Sequence, residues 1–182
     1  STATQQWRDR VTFLRQTDQD WPDLSDVTLE RTATEWLAPY LNGKTSLSQI
    51  DAGLMFDALS SKLDWQMQKR LEDDAPTHFV APTGNAHPID YEAEEGPVLA
   101  IRVQELFGLK EHPTIARGKW PLVLHLLSPA HRPIQITKDL PGFWKGSWAS
   151  VKTEMKGRYP KHVWPDDPAN AMPTARAKPR GT

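Results

Sequence analysis

A proline-rich, aromatic segment near the end of the chain limits what the chain can fold into. The segment reads GRYPKHVWPDDP, residues 157–168, and its three prolines alternate with Tyr159, Trp164 and charged side chains. Because proline fixes φ and lacks a backbone donor, neither a helix nor a central strand accommodates this spacing. Large rings on an extended segment bury easily against a surface. We therefore predict a stiff strap that fastens the end of a folded domain.

The residues before the strap show a helical pattern. Four apolar side chains recur on one helical face: Trp144, Trp148, Val151 and Met155. Three lysines lie about 100° further round the helix: Lys145, Lys152 and Lys156. Asp139 is a typical cap, Pro141 is tolerated in a first turn, and Gly157 is a typical end. We predict one C-terminal helix that docks through its tryptophans and presents its lysines.

The first 74 residues are dominated by helical patterns. They predict four helices: one over QQWRDRVTFLRQ, one over VTLERTATEWLAPYL after a cap at Ser25 or Asp26, one after Ser46, and one from Trp65 to Leu71. We expect their apolar faces to form a core. The expected core residues are Trp7, Val11, Leu14, Leu29, Ala33, Trp36, Leu37, Ile50, Leu54 and Leu59.

Residues 75–168 contain short strand patterns. THFVAP and HPIDYEA flank a Gly-Asn turn and predict a hairpin. WPLVLHLLS and PIQIT predict two strands joined by the turn SPAHR, whereas VLAIRVQELF, which stops at Gly108, fits either a helix or a strand. The predicted fold class is α+β: a helical N-terminal part, a small mixed or antiparallel sheet, and a C-terminal helix with its strap.

The predicted domain organisation has three parts. Residues 1–74 and 75–168 are expected to pack as one accessory domain, and the small, basic residues 169–182 are expected to form a disordered tail. No apolar run approaches the ~20 residues of a membrane span, and the N-terminus lacks the apolar core of a signal peptide. The chain has no cysteine, which excludes disulfides and favours a reducing, cytoplasmic location.

Charge is divided unevenly along the chain. Residues 1–95 carry 8 Lys/Arg and 17 Asp/Glu, whereas residues 96–182 carry 14 Lys/Arg and 6 Asp/Glu. This asymmetry indicates either a half that binds a polyanion or two halves that attract each other, for example through Asp73, Asp74 or Glu94. If a polyanion such as RNA is bound, the candidate phosphate-binding residues are Arg132, Lys138, Lys145, Lys152, Lys156, Arg158 and Lys161. We expect Arg158, Lys161 and His162 to lie on the outer side of the strap.

Patterns for catalysis are weak. Gly43-Lys44-Thr45 resembles the end of a phosphate-binding loop, but Ala38 stands where that loop needs its first glycine. The six histidines are scattered, and the acidic run from Asp90 to Glu95 is more typical of a solvated edge than of a cation site. We therefore predict no catalytic, cofactor or metal-binding residue in this chain.

Two long segments near the end of the chain carry a resemblance. LLSPAHRPIQITKDLPGFWKGSW and EMKGRYPKHVWPDDP resemble the C-terminal region of the bacterial HrpB family, DEAH-type ATP-dependent helicases expected to act on RNA. The resemblance extends upstream through QQWRDRVTFLRQ, WPDLSD, EWLAPYL and IDY. The family's nucleotide-binding loop, acidic metal-binding box and arginine motif have no counterpart here. The resemblance therefore implies that ATP and Mg²⁺ bind upstream, in RecA-like motor domains.

Two functions fit these observations. The chain is expected to be an accessory domain whose basic, aromatic face holds single-stranded RNA beside the motor, because Lys and Arg neutralise phosphates and exposed rings stack on bases. The alternative is a structural or protein-interaction module that braces the motor or docks another protein without contacting RNA. In both cases, we predict that the chain alone is inactive as an enzyme.

Overall fold

The computed structural model describes residues 2–178. The chain divides into two compact units, one that ends at Ala75 and one that begins at Pro76. This division lies next to the predicted boundary after residue 74. The expectation that the two parts form one accessory domain stays a prediction. No described helix is both long and apolar enough to cross a membrane.

The N-terminal unit is helical, as predicted. Its described residues contain α1 (Thr2–Arg15), α2 (Asp26–Arg31), α3 (Ala33–Trp36), α4 (Ala52–Ser60) and α5 (Trp65–Asp74), with 3-10 turns at Ala38–Tyr40 and Leu47–Gln49. Ser25 caps α2, because its hydroxyl accepts from the backbone N–H of Thr28. Of the two predicted caps, Ser25 is therefore the one the structure uses.

Two predicted helices of this unit are each divided in the structure. Thr32 separates α2 from α3, and its hydroxyl donates to the carbonyl of Thr28 at 2.7 Å, a bond that competes with the regular helical ladder. The segment after Ser46 forms only a 3-10 turn closed by a capping box with Gln49. Asp51 then caps α4 separately. A single helical pattern in the sequence thus became three short elements in the first case and two in the second.

The core of the N-terminal unit contains most of the expected residues. Trp7, Val11, Leu14, Leu29, Trp36 and Leu59 are buried, whereas Ala33, Leu37, Ile50 and Leu54 are half-buried. The side chain of Arg10 is also buried, and its guanidinium donates to the carbonyl of Ala75 at 2.6 Å and pairs with Glu72 at 2.9 Å. These bonds satisfy the buried charge and tie α1 to the end of α5.

The C-terminal unit is built around a small mixed sheet. Its strands are β1 (His78–Val80), β2 (Ala86–Pro88), β3 (Val98–Arg102), β4 (Thr114–Ile115), β5 (Trp120–Pro121), β6 (Val123–Leu127) and β7 (Pro133–Thr137). β1 and β2 form the predicted hairpin, and β4 pairs with β5. The central strand β6 lies parallel to β3 and antiparallel to β7. The α+β fold class is confirmed.

The ambiguous segment after Pro97 is a strand in its first half. Val98, Leu99 and Ile101 are buried, and Leu99 lies opposite Leu124 in the parallel ladder with β6. The helical alternative was therefore wrong for this half, because pairing with β6 satisfies the backbone and buries the apolar side chains. A 3-10 helix follows over Val103–Leu106, and the chain then turns at Gly108 with φ +89°.

The predicted C-terminal helix is broken at Gly146. α6 spans Leu140–Lys145 and α7 spans Trp148–Arg158, since Gly146 adopts φ −108° and ψ −94°, outside the helical region. Asp139 caps α6 as predicted, by accepting from the N–H of Gly142 at 3.0 Å. A Cβ at Gly142 would overlap this carboxylate as it is placed, so a larger residue there would displace the Asp139 side chain. α7 continues one residue past Gly157, the predicted end.

Candidate nucleic-acid interface

The four apolar side chains of the C-terminal helices face inward, as predicted. Trp144, Trp148, Val151 and Met155 are buried. The rings of Trp144 and Trp148 meet edge to face, with 5.5 Å between their centroids. The docked face of α6 and α7 thus forms an aromatic core, which leaves the neighbouring face for polar side chains.

The strap, residues 157–168, is closed over this aromatic core. Trp164 is 6% exposed, and its indole N–H donates to the carbonyl of Tyr159 at 2.9 Å. The indole N–H of Trp148 donates to the carbonyl of Pro165 at 2.9 Å. The prediction that the strap buries Trp164 is confirmed, and its polar atoms are satisfied by backbone carbonyls rather than left for a ligand.

The seven candidate basic residues all lie in the C-terminal unit. Arg132 lies in the turn between β6 and β7, Lys138 follows β7, Lys145 ends α6, and Lys161 belongs to the strap; the other three lie on α7. Lys152 is half-buried. The other six are exposed: Arg132, Lys138, Lys145, Lys156, Arg158 and Lys161. Of these residues, Lys156, Arg158 and Lys161 place exposed cations in or next to the strap.

Two of these cations have acidic neighbours. The ammonium group of Lys152 pairs with a carboxylate oxygen of Asp166 at 2.5 Å, and Arg158 lies 3.6 Å from Glu154. The hydrogen bond from Lys152, together with the charges of Lys152 and Lys156, lowers the pKa of Asp166. Lys152 therefore pairs with an acid of the strap, a partner that the sequence did not suggest.

His162 occupies a different place from the predicted one. Its ring is half-buried between Tyr159 and Trp164, and its Nδ1 lies 3.2 Å from the side-chain amide nitrogen of Gln104. Burial and the charge of Arg102 lower the pKa of His162, so the ring is held neutral near pH 7. The prediction that His162 lies on the outer side of the strap was wrong. For Arg158 and Lys161, the same prediction agrees with their exposure.

The tail expected to be disordered returns to the domain. Gly108 N–H donates to the carbonyl of Pro168 at 2.9 Å, Thr174 N–H donates to Gln104 at 3.1 Å, and Lys178 N–H donates to Lys161 at 2.7 Å. The expectation of disorder was therefore wrong for residues 169–178, because backbone bonds that composition does not reveal hold them. Residues 179–182 lie outside the described part of the chain.

A cavity of about 460 Å³ opens where the strap, α7 and the tail meet. Its lining contains the ammonium-bearing side chains Lys156 and Lys178 and the ring of His162, and is completed by Pro160, Val163 and Trp164. All titratable side chains in this lining are basic. Sequence reasoning missed Lys178, because it had been assigned to a disordered tail; only its charge could have drawn attention to it.

A second cavity, of about 390 Å³, has mixed charge. Lys110 and Lys145 lie in its lining together with Asp166 and Asp167, and the rest is largely contributed by Pro141, Trp144 and the residues 168–170. The two carboxylates offset the two ammonium groups. This cavity is therefore less suited to an anion than the cavity beside His162.

The rings of the C-terminal unit are largely covered by the rest of the protein. Its described Trp, Tyr and Phe side chains are all buried or half-buried. Tyr159 is half-buried, with its hydroxyl 3.2 Å from the hydroxyl of Ser128. The expected stacking on exposed rings therefore finds no exposed ring among the described residues of this unit, and accessible charge is its stronger feature.

A buried carboxylate in the same unit resembles a catalytic group but is fully used by the fold. Glu105 is completely buried and accepts from Thr83 at 2.9 Å, from Asn85 at 2.8 Å and from His87 at 3.1 Å. Arg102 lies 3.4 Å from its other oxygen. Burial raises the pKa of Glu105, but these hydrogen bonds outweigh it and lower the pKa overall. Glu105 therefore anchors the β1–β2 hairpin and has no access to a substrate.

The phosphate-loop resemblance is not supported by the local structure. Gly43-Lys44-Thr45 follows the 3-10 turn Ala38–Tyr40, whereas a phosphate-binding loop follows a β-strand. Lys44 is exposed. Among residues 2–178, no group of three or more His, Asp or Glu side chains is arranged to hold a metal ion.

Comparison with known proteins decides the family. The profile of the family described as ATP-dependent helicase C-terminal, HrpB_C, matches residues 36–168. The chain belongs to this family. The ATP-dependent RNA helicase HrpB of Escherichia coli strain K12 is 51% identical to the chain over 161 residues, which are 88% of the chain and 20% of that helicase. The resemblance noted in the sequence is confirmed.

Solved structures of HrpB have the same fold. A crystal structure of the E. coli DExH-box NTPase HrpB matches 97% of the chain with a TM-score of 0.87 and 47% identity, and the match covers 22% of that protein. A crystal structure of the E. coli DEAH/RHA helicase HrpB matches 88% of the chain with a TM-score of 0.69 and 44% identity, over 20% of that protein. The chain thus spans about a fifth of the length of these HrpB relatives.

Proposed function

We propose that this HrpB_C chain is the accessory C-terminal domain of an ATP-dependent RNA helicase and holds single-stranded RNA beside the motor domains. ATP and Mg²⁺ would bind in those upstream domains, which hydrolyse ATP. The chain itself contributes affinity for single-stranded RNA. A cytoplasmic location fits both a helicase acting on RNA and a chain without cysteine.

One contrast carries the proposal: the candidate cations are exposed, whereas the tryptophans of the aromatic core are covered. Six of the seven candidate cations remain accessible, whereas Trp144, Trp148 and Trp164 are buried and bonded. Contacts from such cations to phosphates position a nucleic acid but carry no sequence information. We therefore propose binding that depends little on RNA sequence and strongly on salt.

A fluorescence-anisotropy titration tests this function. The 182-residue chain is titrated against a labelled single-stranded RNA of mixed sequence at several salt concentrations between 50 and 200 mM. If phosphates are contacted, affinity falls linearly on a logarithmic plot against salt, with a slope of about −0.7 per contact. No binding at the lowest salt would refute RNA binding by this domain.

A second function is favoured by one feature of the N-terminal unit. The side chain of Trp65 at the start of α5 is 73% exposed, and the ammonium group of Lys69 lies 5.9 Å from its ring centroid. Exposed tryptophans are frequent anchors of protein interfaces. We propose a docking role for this face if the RNA titration is negative; Trp65→Ala in the full helicase would then reduce ATP hydrolysis, while circular dichroism would show the chain still folded.

A further inference from the structure

The cavity beside His162 differs from the exposed cations around it, because three different segments of the C-terminal unit build it together. α7 supplies Lys156, the strap supplies His162, and the tail supplies Lys178. Each part is held in place by bonds described above, including the 2.7 Å bond from Lys178 N–H to the carbonyl of Lys161. The cavity is therefore a feature of the folded unit, not a chance meeting of surface side chains.

The chemistry of its lining favours one kind of ligand. Two ammonium groups and an imidazole provide hydrogen-bond donors, and none of the side chains in the lining is acidic. Pro160 and Val163 add apolar surface next to these donors. A phosphodiester offers anionic oxygens to such donors, and the C–H groups of the adjoining ribose can contact Pro160 and Val163.

We propose that this cavity binds a backbone phosphate of single-stranded RNA and that the tail residue Lys178 completes the site. The proposal rests on the RNA-binding function proposed above and assigns that function to one position. Lys156 and Lys178 contact the phosphate oxygens. The ring of His162 faces the same anion.

Asp166 regulates how strongly the site attracts an anion. Its carboxylate bonds Lys152 and lies close enough to Lys156 for that charge to affect its titration. Removing this negative charge leaves both lysines more available to phosphate. Asp166→Asn is therefore expected to tighten RNA binding, which an effect of general unfolding would not produce.

The test compares variants of the 182-residue chain in the RNA titration. Lys156→Gln and Lys178→Gln are each expected to weaken binding about threefold to tenfold, the range between an exposed ion pair and a charge-assisted hydrogen bond. Lys119→Gln is the matched control, because Lys119 is exposed in the same unit but does not line the cavity. Circular dichroism establishes that each variant is folded.

A second measurement reports on the position of the anion. In an NMR titration with the same RNA, the ring resonances of His162 should shift and its pKa should rise, because a bound phosphate stabilises the protonated ring. His78, exposed in β1 of the same unit and not adjacent to any candidate cation, serves as the internal control. Lys178→Gln should reduce the shift at His162.

The outcomes separate this site from the general function. If the chain binds RNA and the double variant Lys156→Gln/Lys178→Gln binds as tightly as Lys119→Gln, the site is refuted and RNA binding by the domain stands. The same conclusion follows if RNA binds and His162 does not respond. If the unsubstituted chain binds no RNA at low salt, the proposed function and this site are refuted together.

Discussion

Trp164 and Trp148 lie with their ring centroids 6.2 Å apart, at an interplanar angle of 41°, and each donates its indole N–H to a backbone carbonyl of residues 159–165. This pair links α7 to the strap by apolar contact and by hydrogen bonds together. Because both rings are buried, the closed strap depends on their packing.

Replacement of Trp164 tests this dependence. Trp164→Ala removes a buried ring and a satisfied donor, so we expect the free energy of unfolding to fall by about 2–4 kcal/mol. Val163→Ala is the matched control, since Val163 is adjacent in the strap and 45% exposed. Chemical denaturation measures both variants. An unchanged midpoint for Trp164→Ala would mean that the strap is loose.

Replacement of Glu105 tests the hairpin anchor. Glu105→Gln keeps the shape of the side chain but turns one acceptor into a donor that faces Thr83, Asn85, His87 or Arg102. We expect a loss of about 1–3 kcal/mol, the cost of a buried donor without a partner. Glu111→Gln, at an exposed position, is the control. Equal stability of the two variants in urea would contradict the anchoring role.

The pH dependence of stability reports on His162. Its pKa is lowered in the folded chain, so the unfolded chain binds the proton more readily. The contribution of His162 is therefore complete above the unfolded pKa of about 6.5 and is lost as the pH falls through that value towards the lower folded pKa. We expect thermal melts of the unsubstituted chain and of His162→Gln to converge as the pH is lowered from 7.5 to 5. Parallel curves would contradict this assignment.

The lysines beside the tryptophan face give a prediction about RNA. The triple change Lys145→Gln, Lys152→Gln and Lys156→Gln should weaken RNA binding equally for different sequences, and the salt slope should fall by about 0.7 per lost contact. The fold should survive, because the partner of Lys152 is the exposed carboxylate of Asp166. A lower melting temperature with unchanged RNA affinity would instead assign these lysines to internal pairing.

ATP provides the last prediction. The chain alone is expected neither to bind nor to hydrolyse ATP, since its only phosphate-loop resemblance, around Lys44, lacks the required glycine and strand. A coupled-enzyme assay on the purified chain measures ATP turnover. The variant Lys44→Ala shows whether any turnover comes from the segment around Lys44 or from another site. Turnover above background that persists in Lys44→Ala would indicate an ATP site elsewhere in the chain.

Much of the fold could be predicted from apolar spacing alone. The tryptophans of α7 and the strap, the β1–β2 hairpin, and the strands β6 and β7 follow from periodicity and turn residues, because local pattern and final burial agree there. β3 was ambiguous, since the same apolar residues fit a helix until pairing with β6 is known. The predicted helices are interrupted at Thr32 and at Gly146. Each interruption depends on the backbone conformation of a single residue, which the spacing of apolar residues does not predict.

The candidate interface was predictable only in part. Charge and spacing identify cations such as Lys156, but they do not show that the tail returns to the strap and places Lys178 beside it. They also misplace His162, because its contact with Gln104 joins residues that are distant in sequence. Long-range contacts of this kind depend on the assembled unit, and composition predicted disorder where backbone bonds hold the chain.

The parallel pairing of β3 with β6 has a consequence for how the C-terminal unit folds. β6 and β7 are joined by a short turn, so their hairpin can close early, on a microsecond timescale of about 1–10 μs. β3 lies more distant in sequence, and its ladder with β6 requires residues 103–122 to be closed as a loop first. Non-local pairing of this kind slows folding. We therefore expect the β6–β7 hairpin to form before β3 is added to the sheet.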